Sequence, residues 1–204
     1  MKKKILTKEE IRESVTLKRR ALDPDWIADT SEVIQKSVMM TEAFKKAKTV
    51  CVYIAVPREV NTELIIKECH KIGKKVCVPA FCMETGEYRM TEYSEGEELV
   101  MGPMRVNQPK NHRWVDSGDI DLVIVPGVAF DRWCGRLGHG GGHYDRILIE
   151  WMSSSKDTAG RLKTALSFEF QIVRKVPMGE TDVRLDMVVT EKRIITRIKH
   201  KEMP

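Results

Sequence analysis

The sequence contains no long apolar run. No stretch approaches the roughly 20 consecutive apolar residues needed to cross a bilayer. The N-terminal start, MKKKILTKEEIRE, is basic, but charged residues return too soon to leave the apolar core of a secretory signal peptide. These absences predict a protein with no membrane partner and a cytoplasmic location.

Paired cysteines are also absent. The chain has five cysteines, an odd number, and none forms a CxxC pair. Neither a disulfide framework nor a zinc site is therefore expected. Cys51 and Cys77 lie in apolar, strand-like runs, so we expect most of the cysteines to be small buried apolar residues.

Neither sign of charge dominates the chain. The 35 basic and 30 acidic residues leave a formal net charge of +5. This balance fits an anionic ligand, but an ordinary solvated surface is the more common explanation. The sequence lacks the interleaved basic and aromatic residues of a nucleic-acid surface, so no nucleic-acid partner is expected. Its length of 204 residues and 42% hydrophobic content predict one domain over 1–204.

Strand-like and helix-like segments alternate through most of the chain. Helices are predicted over 7–22, 23–47, 61–74 and 142–152, and strands over 49–56, 75–81, 86–93, 120–130, 162–170, 186–191 and 193–198, with a long loop over 94–118. This order predicts an α/β fold with a layered, mostly parallel sheet and helices on both faces. In such folds, ligands bind beyond the carboxyl ends of the strands.

Several predicted helix boundaries carry their own signals. Thr7 and Glu10 have the spacing of a capping box. Asp23 can cap the second helix, and Pro24 is suited to its first turn. Gly73 stands just beyond the end of the third.

Glycine is concentrated in one stretch, RLGHGGGHYDRIL, which runs from 136 to 148. Glycine is costly to order, so the cluster needs a steric or a chemical reason. A strand is predicted before it and a helix after it. In that arrangement the backbone N–H groups and the helix N-terminus can hold a phosphate. Arg136 and His139 add side-chain donors.

The glycine stretch matches neither common nucleotide motif. The P-loop would need Lys and Ser or Thr where Gly141 and Gly142 stand, and the dinucleotide fingerprint fails at His143. From spacing alone, a tight structural turn and a phosphate loop both remain open. Asp145 lies just inside the predicted helix, where a carboxylate either favours the helix dipole or holds Mg²⁺.

The longer segment VPGVAFDRWCGRLGHGGGHYDRIL resembles the signature of the 5-formyltetrahydrofolate cyclo-ligase family, also called methenyltetrahydrofolate synthetases. In that family a strand with a PG-x-x-F-D pattern leads into R-L-G-x-G-x-G-Y-Y-D. Three further segments resemble the family in the same order. They are Lys8 with Arg12, Glu59 with Thr62 in REVNTELI, and Asp186 in DVRLDMVVTE. The chain departs from the pattern at His139, where the family often has Arg, and at His143, where it often has Tyr.

The resemblance implies a fold of the NagB/RpiA/CoA-transferase type and an ATP-dependent reaction. In that reaction 5-formyltetrahydrofolate is cyclised to 5,10-methenyltetrahydrofolate through phosphorylation of the formyl oxygen, and ADP and phosphate are released. Mg²⁺ is the implied cofactor, and the implied partners are the two small substrates. A monomer or weak homodimer is expected. The alternative is a non-catalytic nucleotide- or folate-binding protein of the same fold.

The resemblance also implies roles for individual residues. Those implied in ATP binding are Lys8, Arg12, Arg136, Leu137, Gly138, His139, Gly140, Gly141, Gly142, His143 and Tyr144. Those implied in folate binding are Ile54, Glu59, Phe81 and Tyr144. Arg136 and Tyr144 are the implied catalytic residues, and Asp145 and Asp186 the implied metal ligands.

Taken singly, these residues have simpler explanations. Lys8 and Arg12 would more often form a solvated helix face, Glu59 a loop charge or cap, and Asp186 a turn residue. The basic run from Lys18 to Arg20 is expected to be solvated.

Overall fold

The computed structural model describes residues 6–154 and 160–197. The basic first residues, 1–5, and Ile198, the last residue of the predicted final strand, lie outside these ranges. The described helices are α1 (Lys8–Arg20), α2 (Pro24–Met39), α3 (Glu42–Lys46), α4 (Glu63–Lys71) and α5 (His143–Ser153). None of these helices is both long and apolar enough to span a membrane.

The described strands are β1 (Thr49–Val52), β2 (Lys75–Cys82), β3 (Glu87–Glu92), β4 (Leu99–Met101), β5 (Asn107–Pro109), β6 (Leu122–Val125), β7 (Ala129–Asp131), β8 (Arg136–Leu137), β9 (Leu162–Leu166), β10 (Ile172–Val173), β11 (Met187–Val189) and β12 (Ile194–Thr196). Seven of them form one sheet in the order β12-β11-β9-β6-β1-β2-β3. The five central strands are parallel, and β12 and β3 add antiparallel edges. The predicted mostly parallel sheet is therefore confirmed.

Helices cover both faces of this sheet because the strand side chains alternate between them. Val50 and Val52 belong to the core beneath α2 and α4. Cys51, between them in β1, belongs to the core beneath α5. All five cysteines are buried and free, as expected.

The helix-start signals are confirmed. Thr7 and Glu10 form the reciprocal capping box of α1. The Asp23 carboxylate accepts hydrogen bonds from two backbone N–H groups at the start of α2. The start of α4 depends instead on a distant residue: Gln35 of α2 accepts bonds from the N–H groups of Leu64 at 2.9 Å and Ile65 at 3.2 Å.

Several of the predicted elements are shorter than expected; the strand over 49–56, for example, ends at Val52. The helix over 23–47 is interrupted, and Thr41 caps the separate helix α3 with a bond from the Phe44 N–H. The strand over 120–130 divides after Val125 at Pro126, which cannot donate to a ladder. Its second half becomes β7 of another sheet, ordered β10-β7-β8. The strand predicted over 162–170 ends at Leu166.

The second sheet carries α1. Ile11 and Val15 of α1 are buried against Val128, Ala129 and Leu137 of the β7–β8 unit. Their i, i+4 spacing makes one apolar stripe along the helix. This contact fixes the direction of α1 relative to the segment that leads into the glycines.

A buried carboxylate shapes the turn between β7 and β8. Asp131 is 1% exposed. Its Oδ1 accepts hydrogen bonds from the N–H groups of Trp133 and Gly135, both at 2.9 Å, and its Oδ2 accepts one from Val176 at 2.8 Å. The Asp131 carboxylate therefore accepts hydrogen bonds from the backbone of two separate loops and holds the start of β8 in place.

Replacing Asp131 with Ala should destabilise the protein. Three backbone donors would lose their acceptor inside the fold, and each unsatisfied buried group costs about 1–3 kcal/mol. We expect a total loss of about 3 kcal/mol or more in the free energy of urea unfolding. Asp29→Ala on the exposed side of α2 is the matched control and should change it by less than about 0.5 kcal/mol. Equal effects of the two substitutions would contradict this account.

Candidate active site

The glycine stretch forms a tight loop between β8 and α5. Gly140 has φ of +113° and Gly142 has φ of +66°, which L side chains rarely adopt. A Cβ atom on Gly141 would lie 2.7 Å from the His143 ring. Gly142 is the N-cap of α5, and no side chain caps that helix start. The loop thus has a steric need for glycine, and it also presents helix N–H groups that suit an anion.

A row of cations on α1, formed by Lys8, Arg12 and Arg19, borders this loop. At about 100° per residue, Lys8, Arg12 and Arg19 project within about 40° of one another. The Nε of Arg12 donates to the Gly138 carbonyl at 3.0 Å. Lys8 Nζ lies 2.5 Å from the Asp182 carboxylate. The row therefore borders the glycine loop and extends beyond it at both ends.

Arg136 lies beneath the loop. Its side chain is buried, and its Nη2 lies 2.8 Å from Asp145 Oδ2. The other oxygen of Asp145 accepts the Val183 N–H at 3.1 Å. The guanidinium also faces the ring of Tyr144, with 5.8 Å between Cζ and the ring centroid. Arg136, Tyr144 and Asp145 thus form one packed group at the start of α5, and Leu137 is buried beside it in the α1 interface.

Positive charge dominates the surroundings of His139. Desolvation lowers the pKa of His139 below its ordinary 6.5, and the nearby charges of Arg19, Arg12 and Arg136 lower it further. Three guanidinium groups therefore act on one imidazole. This concentration of cations around a glycine loop is the electrostatic setting in which phosphate groups bind.

A cavity of about 480 Å³ opens where β1 ends. Its lining residues are Ile27, Ile54, Ala55, Val56, Pro57, Arg58, Glu59, Asn61, Thr62, Glu63, Ile66, Lys67, Tyr93, Glu95, Gly96 and Leu99. Two of the predicted folate contacts, Ile54 and Glu59, are among them. Apolar walls with a few polar groups are typical of sites for aromatic heterocycles.

Glu59 is the buried carboxylate of this cavity and is 8% exposed. Burial raises its pKa, and Arg19, whose Nη2 lies 3.7 Å from Glu59 Oε1, acts in the opposite direction. Burial also raises the pKa values of Tyr53 and Tyr144 well above their ordinary value of 10.0. Both phenols therefore remain neutral hydroxyls at physiological pH.

Phe81, like Tyr144, is placed differently from Ile54 and Glu59. It is absent from the cavity lining and packs edge-on against Tyr88 at 5.4 Å. Tyr88 in turn packs against His143 at 5.0 Å. His143 also approaches Arg146, with 2.8 Å between Nδ1 and Nη2. These rings form a continuous aromatic row from the end of β2 to the glycine loop.

The two predicted metal ligands, Asp145 and Asp186, each have a different cationic partner. The backbone N–H of Asp186 donates to the carbonyl of Lys163 in β9, and Asp186 Oδ2 lies 2.9 Å from Lys163 Nζ. That ammonium is 5.7 Å from the ring of Trp151, near the end of α5, whereas Asp145 is in the first turn. Six residues of helix separate these levels by about 9 Å. Within 6–154 and 160–197, no group of three or more His, Cys, Asp or Glu residues could hold a metal ion.

Two residues of the site did not emerge from the sequence analysis. Arg19 was included in a run expected to be solvated, yet its side chain is only 11% exposed and faces Glu59. Its helical spacing from Lys8 and Arg12 was the available signal. Asp182, the partner of Lys8, comes from a distant turn that carries no comparable pattern.

The comparisons with known proteins agree with one another. The sequence profile of the 5-formyltetrahydrofolate cyclo-ligase family matches residues 4–191. A probable 5-formyltetrahydrofolate cyclo-ligase of Schizosaccharomyces pombe is 32% identical over 85% of this chain and 90% of its own length. The 5-formyltetrahydrofolate cyclo-ligase of Escherichia coli is 30% identical over 87% of this chain and 96% of its own length. The solved structure of Aquifex aeolicus 5,10-methenyltetrahydrofolate synthetase superposes with a TM-score of 0.80 at 29% identity, covering 98% of this chain and 97% of that one.

The cation row can be tested through His139. Because its surroundings oppose the imidazolium form, His139 should titrate below pH 6.5 in histidine-selective NMR spectra of the free protein. Arg12→Gln removes one cation and should raise that pKa. Inorganic phosphate should raise it as well, since a bound anion offsets the positive charge. Lys18→Gln, on the exposed side of α1, should leave it unchanged. A pKa at or above 6.5, or one insensitive to Arg12, would contradict this description.

Proposed function

Because the chain belongs to the 5-formyltetrahydrofolate cyclo-ligase family, we propose that it closes 5-formyltetrahydrofolate to 5,10-methenyltetrahydrofolate in an ATP-dependent reaction that releases ADP and phosphate. One observation carries the proposal: the cation row of α1 contacts the glycine loop through Arg12 and the buried carboxylate of the cavity through Arg19. Arg19 acts on both His139 of the loop and Glu59 of the cavity. This adjacency suits a reaction that joins a phosphate donor to a heterocyclic acceptor.

The phosphates of ATP occupy the glycine loop in this proposal. The uncapped N-terminus of α5 and the backbone of residues 138–142 supply N–H donors, with Lys8 and Arg12 along one side. Arg136 supplies a buried positive charge beneath the loop, held in orientation by Asp145. His139 and His143 sit at the loop edges, where each can donate a hydrogen bond as a neutral imidazole.

Folate occupies the cavity where β1 ends. Glu59 accepts hydrogen bonds from the amide and amino donors of the pterin, and Ile54 supplies an apolar wall. The row of Phe81, Tyr88 and His143 borders the path from the end of β2 to the glycine loop. We assign this row to the aminobenzoyl group, rather than to the pterin beside Glu59.

The chemistry requires positioning and charge neutralisation more than a covalent enzyme intermediate. The formyl oxygen attacks the γ-phosphorus, the bond from phosphorus to the bridging oxygen breaks, and ADP leaves. N10 then attacks the activated formyl carbon, phosphate departs with its oxygen, and N10 loses its proton. Phosphoryl transfer of this kind depends on alignment and on cations near the developing charge. In this proposal Arg136 is the cation near the developing charge, and the neutral hydroxyl of Tyr144 is a hydrogen-bond donor.

Among the residues that the structure describes, the two predicted ligands do not fit a dedicated Mg²⁺ site. Both oxygens of Asp145 already have partners, and Asp186 is paired with Lys163. We propose instead that Mg²⁺ arrives as the counter-ion of ATP, held mainly by phosphate oxygens and water. The single domain, the cytoplasmic location, the monomeric or weakly dimeric state and the absence of a nucleic-acid partner remain predictions.

The proposed reaction can be followed directly. Purified protein with MgATP and 5-formyltetrahydrofolate should generate the absorbance of the methenyl product. Arg136→Lys keeps a cation but loses the two-pronged geometry, and should lower kcat/KM by about 100-fold or more. Lys18→Gln is the control and should retain wild-type activity. Binding of both substrates by the folded wild type without turnover would instead favour the non-catalytic alternative.

Glu59 should govern folate recognition without governing ATP. Glu59→Gln keeps the shape of the side chain but removes the charge, so one of its former acceptor positions becomes a donor. We expect the KM for 5-formyltetrahydrofolate to rise by about tenfold to a hundredfold, with the KM for ATP nearly unchanged. Glu63→Gln, at a more open position of the same cavity, is the matched control. Equal increases in both KM values for Glu59→Gln would place its role outside folate binding.

A further inference from the structure

Arg19 is much less exposed to solvent than its neighbours in the basic run from Lys18 to Arg20. Lys18 and Arg20 are exposed, whereas the side chain of Arg19 is 11% exposed. The helical period turns Arg19 onto the face of α1 that carries Lys8 and Arg12. Its long side chain therefore extends from the surface helix into the space between the glycine loop and the cavity.

Arg19 is attached to the turn that delivers Glu59. Its Nε donates to the Arg58 carbonyl at 2.9 Å. Arg58 returns a bond to α1, from its Nη1 to the Arg20 carbonyl at 2.7 Å. Arg58 has φ of +71°, an uncommon conformation for a residue with a side chain. Two hydrogen bonds between the end of α1 and Arg58 thus hold this strained turn, and Glu59 is the residue that follows Arg58.

Glu59 depends on this neighbour electrostatically. Its Oε2 has one long contact, 3.4 Å from the Val56 N–H, and its Oε1 faces Arg19 at 3.7 Å. Burial raises the pKa of Glu59, and Arg19 provides the largest opposing influence. The charge of Glu59 adds to burial in raising the pKa values of Tyr53 and Tyr144, so both stay neutral. The other ionisable residues lining the cavity are Arg58, Glu63, Lys67, Tyr93 and Glu95.

We propose that Arg19 is the positioning residue that keeps Glu59 ionised and aligned at the cavity wall, so that the pterin donors meet a carboxylate. Arg19 does not line the cavity itself and acts through Glu59 and the Arg58 turn. The inference rests on the proposed function, because it assumes that folate binds against Glu59. It adds a folate-side role to Arg19, whose charge also acts on His139 of the glycine loop, whereas Lys8 and Arg12 serve the phosphate side.

The pH dependence of folate binding tests this role. In Arg19→Gln, Glu59 should take up a proton at higher pH than in the wild type. A protonated carboxyl cannot accept both pterin donors, so each pH unit below that point should raise the KM for 5-formyltetrahydrofolate about tenfold. The rise should therefore begin nearer neutral pH in Arg19→Gln. The KM for ATP and the kcat at saturating folate should change by less than about threefold.

Three further variants separate positioning from general damage to the fold. Lys18→Gln makes the same charge change on the exposed side of α1 and should reproduce the wild-type profile. Arg19→Lys restores the cation but not the bond from Nε, so its profile should lie between those of the wild type and Arg19→Gln. Arg19→Gln combined with Glu59→Gln should lose the pH dependence, because the titrating carboxyl is gone. If Arg19→Gln does not fold, the Arg19→Lys profile alone decides the question.

The outcomes distinguish this inference from the proposed function. Absence of turnover in both the wild type and Lys18→Gln would overturn the proposed function. Calorimetric titration with 5-formyltetrahydrofolate alone would then still report whether Arg19 and Glu59 form a folate-binding unit. Normal wild-type turnover with an unshifted folate profile in Arg19→Gln and Arg19→Lys would overturn the inference. A loss confined to kcat and the KM for ATP would also overturn it, because Arg19 would then act on the phosphates.

Discussion

The arrangement of the site depends on how α1 docks on the small β7–β8 unit. Ile11 and Val15 are buried there, and the cation row of Lys8, Arg12 and Arg19 follows the adjacent face of the same helix. A helix is stiff along its length, so a single apolar contact sets the positions of all three cations. Asp131 contributes to the same constraint, since it fixes the turn between β7 and β8 on which α1 rests.

Three of the buried or half-buried cations around the site are matched by a carboxylate from another part of the chain, whereas Arg12 pairs with Glu9 of its own helix. Lys8 pairs with Asp182, Arg19 with Glu59 and Arg136 with Asp145. Such pairing offsets part of the cost of removing charge from water. It also couples segments far apart in sequence, so the phosphate loop and the folate cavity share their electrostatics. The lowered pKa of His139 reflects these shared electrostatics, because cations from both α1 and β8 act on it.

The parallel sheet brings these elements to one edge. β1 ends at the cavity that contains Glu59, β2 ends near Phe81, and β6 leads through β7 and β8 into the glycine loop. The register of neighbouring parallel strands places their carboxyl ends together. Asp186 precedes its strand rather than following it, and this order explains why it pairs with Lys163 away from the loop.

The sequence by itself determined the local features and the family. Capping residues, alternating strands and the glycine loop were predictable because each depends on residues within a few positions of one another. Four separated segments of the sequence indicated the chain's similarity to the cyclo-ligases. Only the tertiary structure decided which charges meet. It turned Arg19 inward from a run expected to be solvated, paired Asp186 with Lys163, and divided the strand over 120–130 between two sheets. Burial and ion pairing depend on segments that are distant in the chain, so local pattern could not specify them.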